Sequence, residues 1–238
     1  MSIGKKFQQE TKYIRDHIPA GFYEHDAPAP PFKSYPNARK ITLPPPIHSD
    51  GPGVWDVMMN RRSARAYGSD EISSENLSQL LWAGQGITAD YHGFLLRTAP
   101  SAGALYPIET YVGVSNVRNV PKGLYHYDVR TADLSQIVTG DVSKQLSEAA
   151  LGQRMVENAA VVFIWTAVFA RSRVKYRDRG YRYVYLDCAH TAQNVLLAVT
   201  ALGLSACPIA ALYDEEINTL LGIDGETESV LYMASIGP

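Results

Sequence analysis

Residues 98–107 read Thr-Ala-Pro-Ser-Ala-Gly-Ala-Leu-Tyr-Pro, and residues 108–115 continue as Ile-Glu-Thr-Tyr-Val-Gly-Val-Ser. The second stretch is rich in β-branched and aromatic residues, which predicts a strand. The small residues before it would let a flat ligand approach the backbone closely, with Leu105 and Tyr106 supplying apolar bulk. A tight loop without a ligand explains these residues equally well when they are taken alone.

Helices and strands are predicted on both sides of this stretch. Apolar spacing and end signals predict helices at 54–62, 74–86, 142–151, 183–202 and 214–221. Strands are predicted at 108–115, 123–129, 159–167, 206–209 and 230–236, the third of them buried on both faces because it lacks polar alternation. Helices grouped around strands of uneven spacing favour an α+β fold over regular βαβ winding.

The first 53 residues differ from the rest in composition. Eight of the 14 prolines fall between Pro28 and Pro52, which excludes a long helix or a central strand there. Residues 1–18 predict a short polar helix, and 19–53 predict an extended arm. A docked arm is favoured over a disordered linker, because it offers side chains to bury: Tyr23, Phe32, Tyr35, Ile41, Leu43 and Ile47. We therefore divide the chain into residues 1–53 and residues 54–238.

Composition excludes several classes of protein. The 238 residues carry 22 Lys and Arg against 24 Asp and Glu, and this balance argues against a nucleic-acid partner. Two cysteines, Cys188 and Cys207, cannot form a disulfide framework, so a reducing compartment is expected. The longest apolar run, residues 159–165, is too short to span a membrane, and the N-terminus lacks a signal-peptide core. We expect a cytoplasmic protein without a membrane partner.

Several common chemical motifs are absent from the sequence. No Walker phosphate loop occurs, and no Gly-x-Gly-x-x-Gly follows a predicted strand. The six histidines have no zinc-helix spacing, and Cys188 and His190 face different sides of one predicted helix, so no metal site is expected. No Gly-x-Ser-x-Gly nucleophile elbow is found either.

Three other segments carry candidate functional groups. Arg61, Arg62 and Arg65 with Ser63 suit a phosphate, although a solvated basic turn at a helix end is the plainer interpretation. Residues 203–211 form a small-residue loop after a helix, which core packing explains nearly as well. Lys175 beside Tyr176 can act as an acid–base pair if partly buried. Charge runs are usually solvated, but the interleaved tyrosines here favour partial burial.

The order of these segments resembles a known family. Arg-Arg-Ser-Ala-Arg-Ala-Tyr at 61–67 is similar to the opening of the nitroreductase superfamily, whose members bind FMN. The segment at 100–107 resembles the SagB-type dehydrogenases, which include the azoline oxidases of peptide natural products. So does Lys-Tyr-Arg-Asp-Arg-Gly-Tyr-Arg-Tyr at 175–183, leading into Leu-Asp-Cys-Ala-His. The resemblance covers about residues 54–238, and the proline arm resembles the front of stand-alone members.

The resemblance implies a fold and a shared site. The fold would be a nitroreductase-like α+β fold, with a central mixed, mainly antiparallel sheet flanked by helices, in an intertwined homodimer. Arg61, Arg62, Ser63 and Arg65 would hold the phosphate, ribityl chain and pyrimidine edge of FMN. The partner subunit would contact the ring through Pro100, Ser101, Ala102, Gly103 and Leu105. The flavin would also lie beside Pro208, Ile209, Ala210 and Ala211.

Two departures from the family pattern affect the expected site. Many members carry a basic phosphate-binding residue just past the last strand, where this chain has Gly237 and Pro238. That contact is expected to be missing or supplied elsewhere. Ala210 and Ala211 replace a pair that often contains glycine, so their Cβ atoms narrow the space over the ring.

The expected function is that of an FMN-dependent oxidoreductase with ping-pong kinetics. Lys175 and Tyr176 match the catalytic pair of azoline oxidases, which favours oxidation of a C–N bond in a small-molecule or peptide substrate. Reduction of a nitro compound or quinone, with NAD(P)H as a transient donor, is the alternative. A flavin-binding module without turnover, in a biosynthetic complex, is the alternative from another class.

Overall fold

The computed structural model describes residues 1–15 and 29–238, and a seven-stranded antiparallel sheet forms its centre. The strands in chain order are β1 (Lys40–Thr42), β2 (Ile87–Tyr91), β3 (Phe94–Arg97), β4 (Ile108–Val114), β5 (Gly123–Asp128), β6 (Asp133–Thr139), β7 (Val161–Val168), β8 (Ser205–Ile209) and β9 (Glu228–Gly237). The sheet has the order β1-β6-β5-β4-β7-β9-β8, with antiparallel pairing throughout, and β2 and β3 form a separate hairpin.

Eight α-helices surround the sheet in the described residues. They are α1 (Ile3–Glu10), α2 (Val54–Asn60), α3 (Ser74–Gln85), α4 (Ser143–Ala149), α5 (Arg154–Glu157), α6 (Ala170–Tyr176), α7 (Gly180–Ala201) and α8 (Asp214–Leu221). The longest, α7, ends before Gly203, which adopts the left-handed φ of +69° predicted for a residue that stops a helix. Within these ranges no helix is both long and apolar enough to cross a bilayer.

Strand β7 lies inside the sheet and is buried on both faces, which confirms the sequence prediction for this segment. Phe163 and Trp165 belong to the apolar cluster that also contains side chains of α3 and α7. Val162 and Ile164 belong to the opposite cluster, with side chains of α4 and α8. The sheet therefore separates two cores, and successive residues of β7 alternate between them.

The predicted elements of residues 54–238 are present with shifted ends. Helix α2 stops at Asn60, two residues early, because Arg61 has an extended ψ of 121°. Helix α7 starts at Gly180 rather than at 183. The sequence pattern does not predict β1, β2, β3, β6, α5 or α6. These elements are short or polar, so local sequence patterns mark them only weakly.

The described part of the arm docks on the domain. Strand β1 pairs with β6, and Leu43 is buried. Lys33 Nζ lies 2.5 Å from a carboxylate oxygen of Glu228 and 2.7 Å from the hydroxyl of Tyr111, both largely buried. Ile47 was expected to be buried, but its side chain is 66% exposed, although its backbone N–H donates to Gln79 Oε1 at 2.8 Å. Tyr23 lies outside the described residues.

A buried polar network ties the arm to the sheet and to α6. The guanidinium of Arg171, at the start of α6, lies 2.6 Å from a carboxylate oxygen of Glu109 on β4. It also donates to the carbonyls of Pro30 and Tyr106, at 2.7 and 3.2 Å. The other Glu109 oxygen lies 2.7 Å from Nε2 of His126. Three segments that are distant in the sequence thus meet at one guanidinium.

This network predicts a pH dependence of stability. Burial disfavours the charge of Glu109, but hydrogen bonds and positive charge from His126 and Arg171 outweigh it and lower the pKa from 4.5 to about 2. Stabilisation from a depressed carboxyl pKa is present above the unfolded value and is lost as pH falls towards the folded one. We expect Glu109→Gln to lower the free energy of unfolding at pH 7 by roughly 3 kcal/mol.

Urea unfolding of both proteins between pH 7 and pH 3.5 tests this expectation. The difference between wild type and Glu109→Gln should narrow by roughly half across that range. Glu148→Gln serves as the control, because this exposed carboxylate has only a 3.9 Å contact with Lys144. A difference that stays constant with pH would show that the charge of Glu109 is not what stabilises the fold.

Candidate functional site

The small-residue loop at 100–107 is held in shape by Asp187 of α7. The Ser101 hydroxyl donates to one carboxylate oxygen of Asp187 at 2.5 Å, and the backbone N–H of Ala102 donates to the other at 3.2 Å. The N–H of Tyr106 donates back to the Ser101 hydroxyl oxygen at 2.9 Å. Burial raises the pKa of Asp187, and the hydrogen bonds from Ser101 and Ala102 act against that rise. Gly103, at the tip, has a left-handed φ of +65°.

Lys175 and Tyr176 lie directly against this tip. A Cβ built on Gly103 would stand 2.6 Å from the Tyr176 hydroxyl and 2.9 Å from Lys175 Nζ. Helix α6 ends at Tyr176, and the left-handed φ of +53° at Arg177 turns the chain away. The ring of Tyr176 packs edge-on against Tyr183, 4.7 Å away. Two segments singled out separately from the sequence are therefore neighbours in one chain.

The expected burial of the Lys-Tyr pair is only partly present. Tyr176 is half-buried, whereas the side chain of Lys175 is exposed in the single chain. The interleaved tyrosines pack mainly on the arginines of the same run: Arg179 stacks on Tyr183 and Tyr13, and Arg173 on Tyr181. Residues 1–15 and 29–238 of one copy therefore do not bury the lysine amine.

The basic segment at 61–65 joins the sheet at β8. Ser63 forms a parallel bridge with Ala206, and the N–H of Ala64 donates to the Ala206 carbonyl at 2.8 Å. Arg62 donates to the carbonyls of Met59 and of Arg61 at the end of α2, as the plainer interpretation of a basic helix end expected. Within residues 1–15 and 29–238, Arg61 and Arg65 form no ion pair.

Strand β8 leads from this segment into the predicted flavin loop. Ile209 is buried, Pro208 is half-buried, and Ala210 and Ala211 are exposed. Burial raises the pKa of the Cys207 thiol, and the positive charge of Arg65 acts in the opposite direction. The basic segment and residues 208–211 therefore form one group at the β8 edge of the sheet.

The two groups of candidate residues are far apart in a single chain. Ile108, which follows the small-residue loop, pairs through Ala167 with Ser229 of β9, whereas Ala206 pairs with Ile236. Seven residues of β9 separate those rows, roughly 23 Å at ~3.3 Å per residue. Strands β4 and β8 are also three positions apart in the sheet, which adds roughly 14 Å across it. The basic segment and the small-residue loop therefore lie on the order of 25 Å apart in one chain.

The structure reveals supporting residues that the sequence patterns do not single out. Asp187 lies inside the quoted segment Leu-Asp-Cys-Ala-His, but its partner Ser101 is 86 positions away, and only the fold shows the contact. Arg171 and Arg97 look like ordinary charged residues, yet they are 5% and 8% exposed. A metal site receives no support, since three or more metal-ligating side chains come together nowhere in the described ranges.

Known proteins share the sequence of this chain over most of its length. The model of the nitroreductase family matches residues 58–238. MJ1384 of Methanocaldococcus jannaschii is 42% identical over 168 residues, which are 71% of this chain and 83% of that protein. The trifolitoxin-processing protein TfxB of Rhizobium leguminosarum bv. trifolii is 34% identical over 142 residues. That alignment spans 58% of this chain and only 38% of TfxB.

Solved structures share the architecture. A protein from Anabaena variabilis matches with a TM-score of 0.73 at 30% identity, over 85% of this chain and 42% of that one. A chain of the Escherichia coli microcin synthetase McbBCD complex with truncated pro-MccB17 matches with a TM-score of 0.63 at 20% identity. The match covers 100% of this chain and 82% of that one. A Desulfovibrio desulfuricans protein in complex with FMN matches with a TM-score of 0.56 at 19% identity, over 79% of this chain and 87% of that one. The expected α+β fold class is thereby confirmed.

The close approach at Gly103 predicts the effect of adding one methyl group. In Gly103→Ala the left-handed backbone costs about 1 kcal/mol, and the tips of Lys175 and Tyr176 must move away. Gly203→Ala is a matched control, because its φ is +69° and nothing lies within 4 Å of the added Cβ. Urea unfolding should give similar losses, whereas crystal structures should show a displaced Tyr176 hydroxyl only in Gly103→Ala. An undisturbed pair in that variant would refute the contact.

Proposed function

The chain belongs to the nitroreductase family, and on that premise we propose that it is an FMN-dependent oxidoreductase of the SagB-type dehydrogenase branch. The observation that carries the proposal is the approach of Lys175 and Tyr176 to the loop tip at Gly103. This approach supports the assignment of Lys175 and Tyr176 as an acid–base pair beside the loop that the resemblance assigns to the flavin ring. A hydride-transferring enzyme that must also remove a proton needs this combination.

The residues at the β8 edge fit the phosphate of FMN. Arg61 and Arg65 have no carboxylate partner within the described ranges, so their planar guanidiniums are available for phosphate oxygens. Ser63 and Ala64 are fixed to β8 through Ala206, which gives the segment a rigid support. The FMN complex of the Desulfovibrio protein, which shares the fold, is in keeping with this assignment. Arg62 is assigned mainly to the end of α2.

A homodimer follows from the separation of the two groups. Since one chain keeps them on the order of 25 Å apart, a complete site takes the basic segment from one copy and the small-residue loop from the other. Helix α2 is in keeping with such an interface, because Trp55 and Met59 are 76% and 70% exposed. Tyr185 and Leu186 of α7 are also more than half exposed. Apolar side chains exposed together in this way are typical of a surface that another chain covers.

The substrate class proposed is an azoline or a related C–N single bond in a small molecule or peptide. FMN, when bound, supplies the hydride acceptor. Lys175 takes the proton that leaves the substrate, and Tyr176 orients the substrate or passes that proton on. The second chain and the flavin supply the burial that Lys175 lacks in a single copy. TfxB is named for trifolitoxin processing, which is in keeping with a peptide substrate.

Reduction of a nitro compound or quinone by NAD(P)H is the second candidate. The family match favours it, and so does the exposure of Lys175, because this reaction does not require a buried base. A flavin-binding module without turnover predicts bound FMN that no donor or substrate reduces. Bleaching of the flavin absorbance by an azoline, by NADH or by neither separates the three candidates.

Phosphate anchoring is tested by comparing FMN with riboflavin, which lacks the phosphate. Losing a charge-assisted contact is worth about 1.5–3 kcal/mol, or roughly tenfold to a hundredfold in affinity. Arg61→Ala and Arg65→Ala should therefore weaken FMN by that factor and riboflavin hardly at all, as measured by fluorescence titration. Arg154→Ala, at an exposed arginine of α5, is the control. Equal losses for both flavins would reject the phosphate role.

The Lys-Tyr pair is tested by separating two half-reactions. Lys175→Ala and Tyr176→Phe should keep bound FMN, because neither side chain is assigned to cofactor binding. Azoline oxidation should fall by ~10²–10⁴, the usual range for acid–base contributions. Quinone reduction by NADH should survive, since its product can take protons from water. Stopped-flow measurement of each half-reaction decides the point, and a parallel fall of both would make the pair structural.

A further inference from the structure

A cavity lies behind the small-residue loop. It has a volume of about 350 Å³, within the usual range for small-molecule pockets. Its walls are largely apolar and come from three segments: the arm at Phe32, the β2–β3 hairpin at Phe94 and Leu95, and the loop at Leu105 and Tyr106. Two arginines, Arg97 and Arg171, complete the lining.

Arg97 is the unusual member of this lining. The residue is 8% exposed, and its guanidinium lies between two rings, 5.3 Å from the centroid of Phe32 and 4.5 Å from that of Tyr106. One terminal nitrogen donates to Gln85 Oε1 at 2.5 Å, whereas the buried Nε has no hydrogen-bond partner. No carboxylate of residues 1–15 or 29–238 lies within ion-pair distance of it.

Among residues 1–15 and 29–238, the charges around the cavity do not balance. Glu109 is the carboxylate that most favours the charge of Arg97, but it already binds Arg171 and His126. Burial lowers the pKa of Arg97 to about 10, so the guanidinium is still charged at neutral pH. A buried cation without a partner is costly, and proteins seldom keep one unless something pairs with it.

We propose that this cavity binds the carboxylate of an organic acid with an apolar body, and that Arg97 is the group that pairs with the carboxylate. A guanidinium presents its donors in its own plane, so the ligand carboxylate would meet the edge of that plane. One unbalanced positive charge suits a monoanion better than a phosphate dianion. The apolar walls exclude a small, fully hydrated anion as the best ligand.

The location connects this cavity with the candidate active site. Leu105 and Tyr106 line the cavity, and they belong to the loop whose tip touches Lys175 and Tyr176. Val174, the residue before Lys175, is also part of the lining. The claim that this cavity holds the carboxylate of the enzyme's substrate rests on the proposed function. The claim that the cavity binds a carboxylate at all rests on Arg97 alone.

Calorimetric titration of the purified full-length protein tests the assignment with four probes. Benzoate and hexanoate carry the charge, and benzamide and hexanamide are their neutral counterparts. The wild type should bind at least one acid more than roughly tenfold tighter than its amide, the value of one charge-assisted hydrogen bond. Arg97→Gln should abolish that preference, and Arg97→Lys should retain part of it.

Arg130→Gln is the matched control. Arg130 also stacks on Phe32, at 5.1 Å, but its side chain is 47% exposed and lies near Asp128. This variant should keep the preference for acids. If neither acid binds better than its amide, or if Arg97→Gln and Arg130→Gln behave alike, the assignment is wrong. Flavin absorbance is read on the same samples, so absent FMN would count against the proposed function and leave this result intact.

Unfolding of Arg97→Gln separates a ligand-binding role from a structural one. A buried cation kept for a ligand destabilises the empty protein, so its removal should leave the stability unchanged or raise it. A large loss of stability, with acid binding equally weak in Arg97→Lys, would instead make Arg97 a structural partner of Gln85.

Discussion

The buried guanidinium of Arg171 is the contact on which the arrangement of the candidate site depends. It binds a carboxylate of β4, a carbonyl of the small-residue loop and a carbonyl of the arm at the same time. Buried ion pairs add little net stability compared with apolar residues of the same volume, but losing one partner is costly. We infer that this one serves to fix geometry. Because Arg171 also begins α6, the helix that ends at Lys175 and Tyr176 arrives at the loop in a defined position.

This anchoring supports the proposal that the site is assembled from two rigidly held groups of residues, here called halves. One half is the loop with the Lys-Tyr pair, held by Arg171 and Asp187. The other is the basic segment, held against β8 by Ala206. Each half is supported by the central sheet, whose strands fix the distance between them. A second copy of the chain is the simplest source of the missing half, and the exposed apolar side chains of α2 suit such a contact.

The sequence predicts the core of the fold well and its periphery poorly. Strand β7 and helix α8 are marked by local patterns, and the structure contains both. Strand β2 is mostly exposed and β6 carries several polar residues, so local patterns mark neither as a buried strand, although each pairs with a neighbour in sequence. The four motif segments could be found from residue types alone. Their grouping in space, the Asp187–Ser101 contact and the Arg97–Phe32 contact required the fold, because each joins residues distant in sequence.

A mixed dimer tests the shared site most directly. One chain would carry Arg61→Ala with Arg65→Ala, the other Lys175→Ala, and differently tagged copies would be purified together. In a shared arrangement one site of each mixed dimer receives both lesions and the other receives none, so turnover should recover to about half that of the wild-type dimer. If each chain instead contained a whole site, every site would carry a lesion. The mixed dimer would then be as inactive as its parents, and that result would contradict the account.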